Sequence, residues 1–439
     1  MTRVPFDDLH GWGFDRATGN LVHETGRFFS VEGLHVRPGD GTGAEWWQPI
    51  IHQPDIAILG ILATEIDGVL HFLMQAKKEP GNVNRVQLSP TVQATSSNYT
   101  RLHGGSRTPY VEYFTDPGRG RVIVDVLQSE QGAWFYRKRN RNVVVEVSDE
   151  VPVREDFRWL TLGQILALAR VPNLVNMDAR TVLACLPFAG ATPAATPAPP
   201  AGPAAWVVPS PPGSPDDDGF RAALRRSLGA TTADAGPGPP DVAGWLADRR
   251  QAPSVSAVRV GLDSVVGWYR SRDEIARVDG GHFAIIGVRV TADNREVASW
   301  TQPLLAPRSV GVIAMLVRRI DGVLHALVRA DVQPGYVDAV EIGPTVQYTA
   351  ASGAERPPFL DLVLQGPGVR YATVLSEEGG RFHQAQNRYL VVEVGEEFPL
   401  AVPPDFAWLT VGELTAACQH SHQLNIEART LLFCLYSLW

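Results

Sequence analysis

Two stretches of this chain carry the same short strings in the same order. Asp67-Gly-Val-Leu-His71 returns as Asp321-Gly-Val-Leu-His325, and Pro90-Thr-Val-Gln93 as Pro344-Thr-Val-Gln347. Asn140-Arg141 returns as Asn387-Arg388, Asp156-Phe-Arg-Trp-Leu-Thr161 as Asp405-Phe-Ala-Trp-Leu-Thr410, and Ala179-Arg-Thr181 as Ala428-Arg-Thr430. The spacing between these partners drifts only from 254 to 247 residues, so one unit has been duplicated with a few loop deletions. A duplication restricts the fold to two versions of one architecture. It also supplies an internal comparison. What both copies keep is scaffold or a shared pocket, and what one copy keeps alone is a candidate for chemistry.

The first copy spans residues 1–188 and the second 241–439. Residues 189–240 between them are rich in Ala, Pro, Gly and Asp, a composition that buries too little apolar surface to order itself, so they read as a linker. Within it, Phe220 to Leu228 has room for one or two helical turns. In each copy two apolar runs, such as Ile56 to Thr64 and Val69 to Gln75, meet across Asp-Gly, the pair favoured where both residues of a tight hairpin turn need positive φ. Arg121 to Leu127, Trp134 to Arg139 and Val143 to Val147 read as further strands. Thr161-x-x-Gln164 and Thr410-x-x-Glu413 are capping boxes, each opening a helix. A last helix starts near Asn176 and near Asn425. Val242 to Arg250 is an amphipathic helix ahead of the second copy. The expectation is an α+β chain with a mixed sheet and a helical pair in each copy.

Composition narrows the function classes. The 439 residues are ample for two cores, and a net charge of −8 argues against nucleic-acid binding as the main role. Three cysteines cannot form a secreted disulfide framework, and Cys185 and Cys434 read as buried small hydrophobes. Neither an apolar leader nor a run of membrane-spanning length appears, so the expected location is the cytoplasm. No zinc-type spacing, glycine-rich phosphate loop, Gly-x-Gly-x-x-Gly or Gly-x-Ser-x-Gly string appears.

Differences between the copies point to residues. Arg137, Lys138, Arg139, Asn140 and Arg141 face Gln384, Ala385, Gln386, Asn387 and Arg388, so three cations are lost while Asn-Arg stays. If residues 137–141 form a strand, Arg137, Arg139 and Arg141 share a face and suit a diphosphate, or they are a solvated surface. Lys77, Glu79 and Asn82 flank a Pro-Gly turn kept in both copies, while these three become Asp331, Gln333 and Tyr336. Lys77 and Glu79 are acid–base candidates or plain loop charges. Gln93 opens a loop carrying Ser96, Ser97, Asn98, Tyr99 and His103, suited to a base and sugar or to solvent. Glu130, kept as Glu377, is a general acid or base or a structural carboxylate. Trp134, replaced by Arg381, stacks on a nucleobase or packs.

Longer strings resemble a known family. "GWGFDRATGNLVHETGRFFSVEG", "WWQPIIHQPDIAILGIL", "DGVLHFLMQAKKEPGNVNRVQLSPTVQATSSNYTRLH" and "VLQSEQGAWFYRKRNRN" are similar to the nucleotide-sugar 2,3-dehydratases of deoxysugar biosynthesis. The resemblance covers nearly everything outside the linker and is stronger in the first copy. It implies two tandem Nudix-like α/β/α sandwich domains with a mixed sheet and flanking helices, assembled as a homodimer. The Nudix metal box is replaced by Val92 to Leu102, which has no acidic residue. The implied substrate is dTDP-4-keto-6-deoxyglucose, with no metal and no nicotinamide required for dehydration, and an NADPH-dependent 3-ketoreductase downstream. In that frame Glu130, Lys77, Glu79 and Tyr99 are the acid–base set. Arg137, Arg139, Asn140, Arg141, Gln93, Asn82 and Trp134 bind substrate, and Asn387 and Arg388 mark a second pocket without turnover. The alternatives are a non-catalytic nucleotide-sugar-binding module and a Nudix-type hydrolase.

Overall fold

The computed structural model describes residues 1–39, 43–95, 108–187, 217–230, 236–239, 241–252, 255–291, 299–350 and 355–439. Tyr99, with Ser96, Ser97, Asn98 and His103, lies outside the described residues. The protein is α+β, mostly sheet, in two similar halves. Each half holds a seven-stranded mixed sheet. In the first, Arg121–Ser129, Arg139–Glu146, Ala57–Ile66, Val69–Lys78 and Phe157–Thr161 lie side by side. The central pair, Ala57–Ile66 and Arg139–Glu146, is parallel, with Asn140 opposite Ala57. The second half repeats this with Gly311–Ile320 parallel to Gln386–Val394. Asp67 and Gly68 take φ of 51° and 78°, and Asp321 and Gly322 take 50° and 78°, so both hairpins turn as their Asp-Gly pairs require.

Both capping boxes form. Thr161 accepts from the Gln164 N–H and opens Leu162–Leu168, and Thr410 does the same for Val411–Cys418. Asn176 and Asn425 cap the last helices, Met177–Ala184 and Ile426–Tyr436, by accepting from Ala179 and Ala428. These two helices pack on each other and carry the repeated Ala-Arg-Thr strings into the core. Arg180 donates to the carbonyl of Ser376 at 2.7 Å, and Arg429 to that of Ser129 at 2.6 Å. Each arginine is wholly buried and reaches into the opposite half. Carbonyls replace the water these guanidinium groups give up, which is what makes a buried arginine tolerable.

The halves also exchange strands. Thr2–Val4 pairs with Phe283–Thr291 of the second half, and Val255–Val260 pairs with Ser30–Pro38 of the first. Each five-stranded small sheet is thereby completed by the other half. Inside the stretch read as a linker, Asp217–Gly229 is a helix longer than the one or two turns expected. Phe220, Ala223, Leu224 and Ser227 fall on one face and are buried against the second half, and Ser227 receives the Val411 N–H at 2.7 Å. Val242–Gln251 is helical as its pattern suggests, and buries Leu246. Cys185, Cys418 and Cys434 are buried thiols. Among the described residues no helix is long and apolar enough to cross a membrane.

One expected strand is a turn. Residues between Ser129 and Arg139 fold back instead of running as a ribbon, and Arg137 takes φ of 50°. The cause lies in the other half. The Gly335 N–H donates to the Gly132 carbonyl, and the Arg137 N–H to that of Gly335. The reciprocal bonds run from Gly81 to Gly379 and from Gln384 to Gly81. A Cβ on Gly81 or Gly335 would collide with the carbonyl of Phe382 or Phe135, so both copies keep glycine after the proline.

Candidate active site

These interlocked turns wall a cavity of about 1150 Å³, slightly above the roughly 300–1,000 Å³ usual for small-molecule sites. Part of its lining is aromatic and basic, with His10, Trp12, His23, Arg27 and Phe28 from the N-terminal segment and Arg289 and Trp300 from the second half. Another part is ionisable. There Lys77, Glu79, Gln93, Lys138, Asn140 and Asp178 of the first half meet Glu378 and Arg381 of the second.

Adjacent strands and the last helix bring these groups together. Lys77 and Glu79 leave the end of Val69–Lys78, with Lys77 Nζ 3.5 Å from Glu79 Oε1. Lys77 also donates to the Gln93 carbonyl at 3.2 Å, and the Gln93 amide donates to Glu79 at 2.9 Å. Asn176, the helix cap, donates to Gln93 Oε1 at 3.3 Å and so ties this triad to the helix that presents Asp178. Lys138 is held by the carbonyl of Asp55, and burial pushes its ammonium below the usual lysine range. Burial pushes the Asp178 carboxyl well above its usual range, and the nearby Glu378 charge adds to the effect. Burial raises Glu378 as well. Arg381 donates to Gln53 at 2.9 Å and lies 4.4 Å over the Phe29 ring, which fixes a cation in the wall.

Glu130 stands behind this wall. It accepts from Asn140 at 2.6 Å and its other oxygen meets no partner among the described residues. Burial moves its carboxyl upward. Asn140 reaches the cavity, but its amide is spent on Glu130 and on the Ala57 N–H. Asn82 is buried beneath the Gly379 turn and does not line the cavity.

The expected row of arginines does not form. Because Arg137 is left-handed and precedes the strand, it does not continue the strand alternation, and its guanidinium lies over Tyr136. The residues that line the cavity are the intervening Lys138 and Asn140. Arg141 grips Asp125 through two 2.7 Å bonds at the surface, and neither it, Arg137 nor Arg139 lines the cavity. Trp134 packs edge-on against Phe382, 4.6 Å between centroids. In the second half Asn387 donates to Glu377 at 2.7 Å, while Arg388 is exposed.

Sequence reading thus reached Lys77, Glu79, Gln93 and Asn140 and passed over Lys138, Asp178, Glu378 and Arg381. The missed signal was legible: Glu378-Gly-Gly-Arg381 stands where the first copy has Gln131-Gly-Ala-Trp134. Charges kept only by the second copy serve the cavity of the first.

Fold and site therefore define a duplicated α+β protein with one composite, ionisable cavity built from both halves. The family model for NDP-hexose 2,3-dehydratases matches residues 1–186 and 240–435, and the chain belongs to that family. It is similar to proteins named dTDP-4-dehydro-6-deoxy-alpha-D-glucopyranose 2,3-dehydratase from three organisms. That of Saccharopolyspora spinosa is 54% identical over 100% of this chain and 88% of the relative. That of Amycolatopsis orientalis is 48% identical over 99% and 86%, and that of Streptomyces violaceoruber 46% over 100% and 93%.

Proposed function

We propose that this protein removes water across carbons 2 and 3 of dTDP-4-keto-6-deoxyglucose, giving a dTDP-3,4-diketo-2,6-dideoxyhexose. The observation that carries the reading is a cavity lined by both aromatic and ionisable side chains, in a chain that matches dehydratases of that name along its whole length. The aromatic part suits a nucleobase, and the ionisable part a sugar whose protons must move. The ketone at carbon 4 acidifies the hydrogen on carbon 3. A carboxylate removes that hydrogen, and the negative charge passes to the ketone oxygen. We assign Lys77, held by Glu79 and Gln93, to meet that charge, with Lys138 and Arg381 adding positive potential. The hydroxyl on carbon 2 leaves with a proton, and the enol at carbon 3 becomes a ketone. Substrate and product differ by water alone, so the step is redox-neutral and calls for no net hydride transfer.

The unstable diketone calls for an immediate partner, and an NADPH-dependent 3-ketoreductase fits it. We further read each half as Nudix-like, supported by its mixed sheet with a parallel central pair and flanking helices. The homodimer rests on the family resemblance, and the cytoplasmic location on the composition of the chain.

The test is a coupled assay. The protein meets dTDP-4-keto-6-deoxyglucose, a 3-ketoreductase and NADPH, with products read by mass spectrometry. A dTDP-2,6-dideoxy sugar that still forms with a chelator present supports the reading. Unchanged substrate despite tight dTDP binding, with an authentic dehydratase active in the same mixture, refutes it. Chelator-sensitive release of thymidine monophosphate would make the protein a hydrolase.

A further inference from the structure

Many of the carboxylates near the junction of the halves are engaged by the fold. Glu130 is bonded by Asn140, Glu377 by Gln131, Asn387 and Tyr389, Glu341 by Ser129, and Glu427 by Gln347. Two cavity-lining carboxylates differ. Asp178, 3% exposed at the start of Met177–Ala184, and Glu378, in the turn of the second half, make no side-chain hydrogen bond with any described residue. They come from opposite halves and line the same cavity. The duplication provides a control. The residues equivalent to them are Glu427 and Gln131, and both of those are hydrogen-bonded inside the protein. So only at this cavity are the two side chains left for a ligand.

We propose that Asp178 and Glu378 are the catalytic acid–base dyad of the elimination, one carboxyl from each half. This rests on the dehydratase reading and completes it. The dyad holds one proton. The ionised member, Glu378, takes the hydrogen from carbon 3, and its electron pair becomes the bond between carbons 2 and 3. The protonated member, Asp178, gives its proton to the departing hydroxyl, which leaves as water. The carbon 2–oxygen bond breaks, and the dyad again holds one proton, now on Glu378. It returns to Asp178 before the next turnover. The enol oxygen then loses a proton and carbon 2 gains one, so the balance closes. Burial favours this arrangement, because desolvation disfavours the charged form of each carboxyl and so keeps a proton on the pair. Assigning the proton to Asp178 follows from its deeper burial, since Glu378 is only half-buried.

The experiment compares Asp178→Asn, Glu378→Gln and the double variant in full-length protein. Turnover is read in the coupled assay, dTDP binding by calorimetry, and carbon 3 exchange by mass spectrometry in heavy water. Each single variant is expected to lose about 10²–10⁴ in kcat with dTDP affinity within about threefold of the starting protein. The double variant should fall little further, because the two groups act as one unit. Asp178→Asn should still exchange the carbon 3 hydrogen without eliminating water, and Glu378→Gln should do neither. Undiminished turnover in either variant overturns the dyad. So does loss of dTDP affinity as steep as the loss of turnover, which would make the carboxyls structural. An unmodified protein that fails to dehydrate at all refutes the function itself, and is told apart by that control.

Discussion

The interior of the first half is open and charged where that of the second is filled and tied down. Lys77, Glu79, Gln93 and Asp178 border a cavity, and their equivalents are Asp331, Gln333, Gln347 and Glu427. There Tyr336, 3% exposed, occupies the place of Asn82 and bonds to Asp331 and Asn425. Gln333 closes on Asp331 at 2.8 Å, and Gln347 on Glu427 at 3.0 Å. The same backbone therefore borders a cavity in one copy and closes on its own side chains in the other. Yet the second half is not idle. Its turn supplies Glu378 and Arg381 to the chamber across the interlocked glycines.

The strongest way to break this contrast is to remove the cation that the second half lacks. Lys77→Met deletes the group placed at the developing enolate, and kcat should fall about 10²–10³-fold with little change in dTDP binding. Normal turnover would show that the Lys77–Glu79–Gln93 triad is only scaffold. The converse change opens the filled copy. Tyr336→Asn installs the first-half residue, removes a buried ring and its bonds to Asp331 and Asn425, and should cost about 3–5 kcal/mol of stability. A urea titration reads that loss, and turnover at the intact cavity should change little below the unfolding midpoint.

A smaller difference sharpens the comparison through pH. Gln87 of the first half donates to Ser376 at 2.8 Å, while its equivalent, Glu341, accepts from Ser129 at 2.5 Å. Burial pushes the Glu341 carboxyl up to about 7. A carboxyl raised above its unfolded value binds its proton more tightly when folded. Stability from this group is therefore fully present below about pH 4.5, declines as pH rises, and is gone above about 7. Glu341→Gln copies the first half and removes that slope. At pH 8 the variant should be more stable than the parent by about 2 kcal/mol, with no gain at pH 4.5. Equal urea midpoints for the two proteins at pH 8 would show that Glu341 ionises without penalty.

What the sequence disclosed was local. Asp-Gly turns, capping boxes and asparagine caps depend on neighbours within a few residues, and each formed where its string stands. The conserved Pro-Gly was visible too, but its reason was not, since Gly81 touches residues some 300 positions away. The same contact bends residues 131–138 into a turn, which no alternation within the segment foretells. A single left-handed residue, Arg137, then decides which side chains face inward, as any one-residue shift in a strand does. Asp178 hid as an ordinary acidic residue in the first turn of a helix. Glu378 and Arg381 hid because chemistry was sought in residues kept by the first copy alone. In a duplicated chain that exchanges strands, either copy can equip either chamber.

The arginines test that last point with the smallest expected effect. Arg139 and Arg141 do not line the cavity, and Arg388 is exposed at the place equivalent to Arg141. If the diphosphate is held by groups of the composite wall, Arg141→Ala should lose its surface pair with Asp125 and its 2.8 Å bond to the Phe114 carbonyl, about 1–2 kcal/mol of stability. Arg388→Ala should lie within about 0.5 kcal/mol of the parent. Neither should move dTDP affinity, measured by calorimetry at constant salt. A tenfold weaker affinity in Arg141→Ala would return the diphosphate to the arginine-rich segment and require that segment to rearrange around substrate. Equal affinity in all three proteins leaves the anion to Lys138, Arg381 and the basic residues of the aromatic part, which are contributed by both halves.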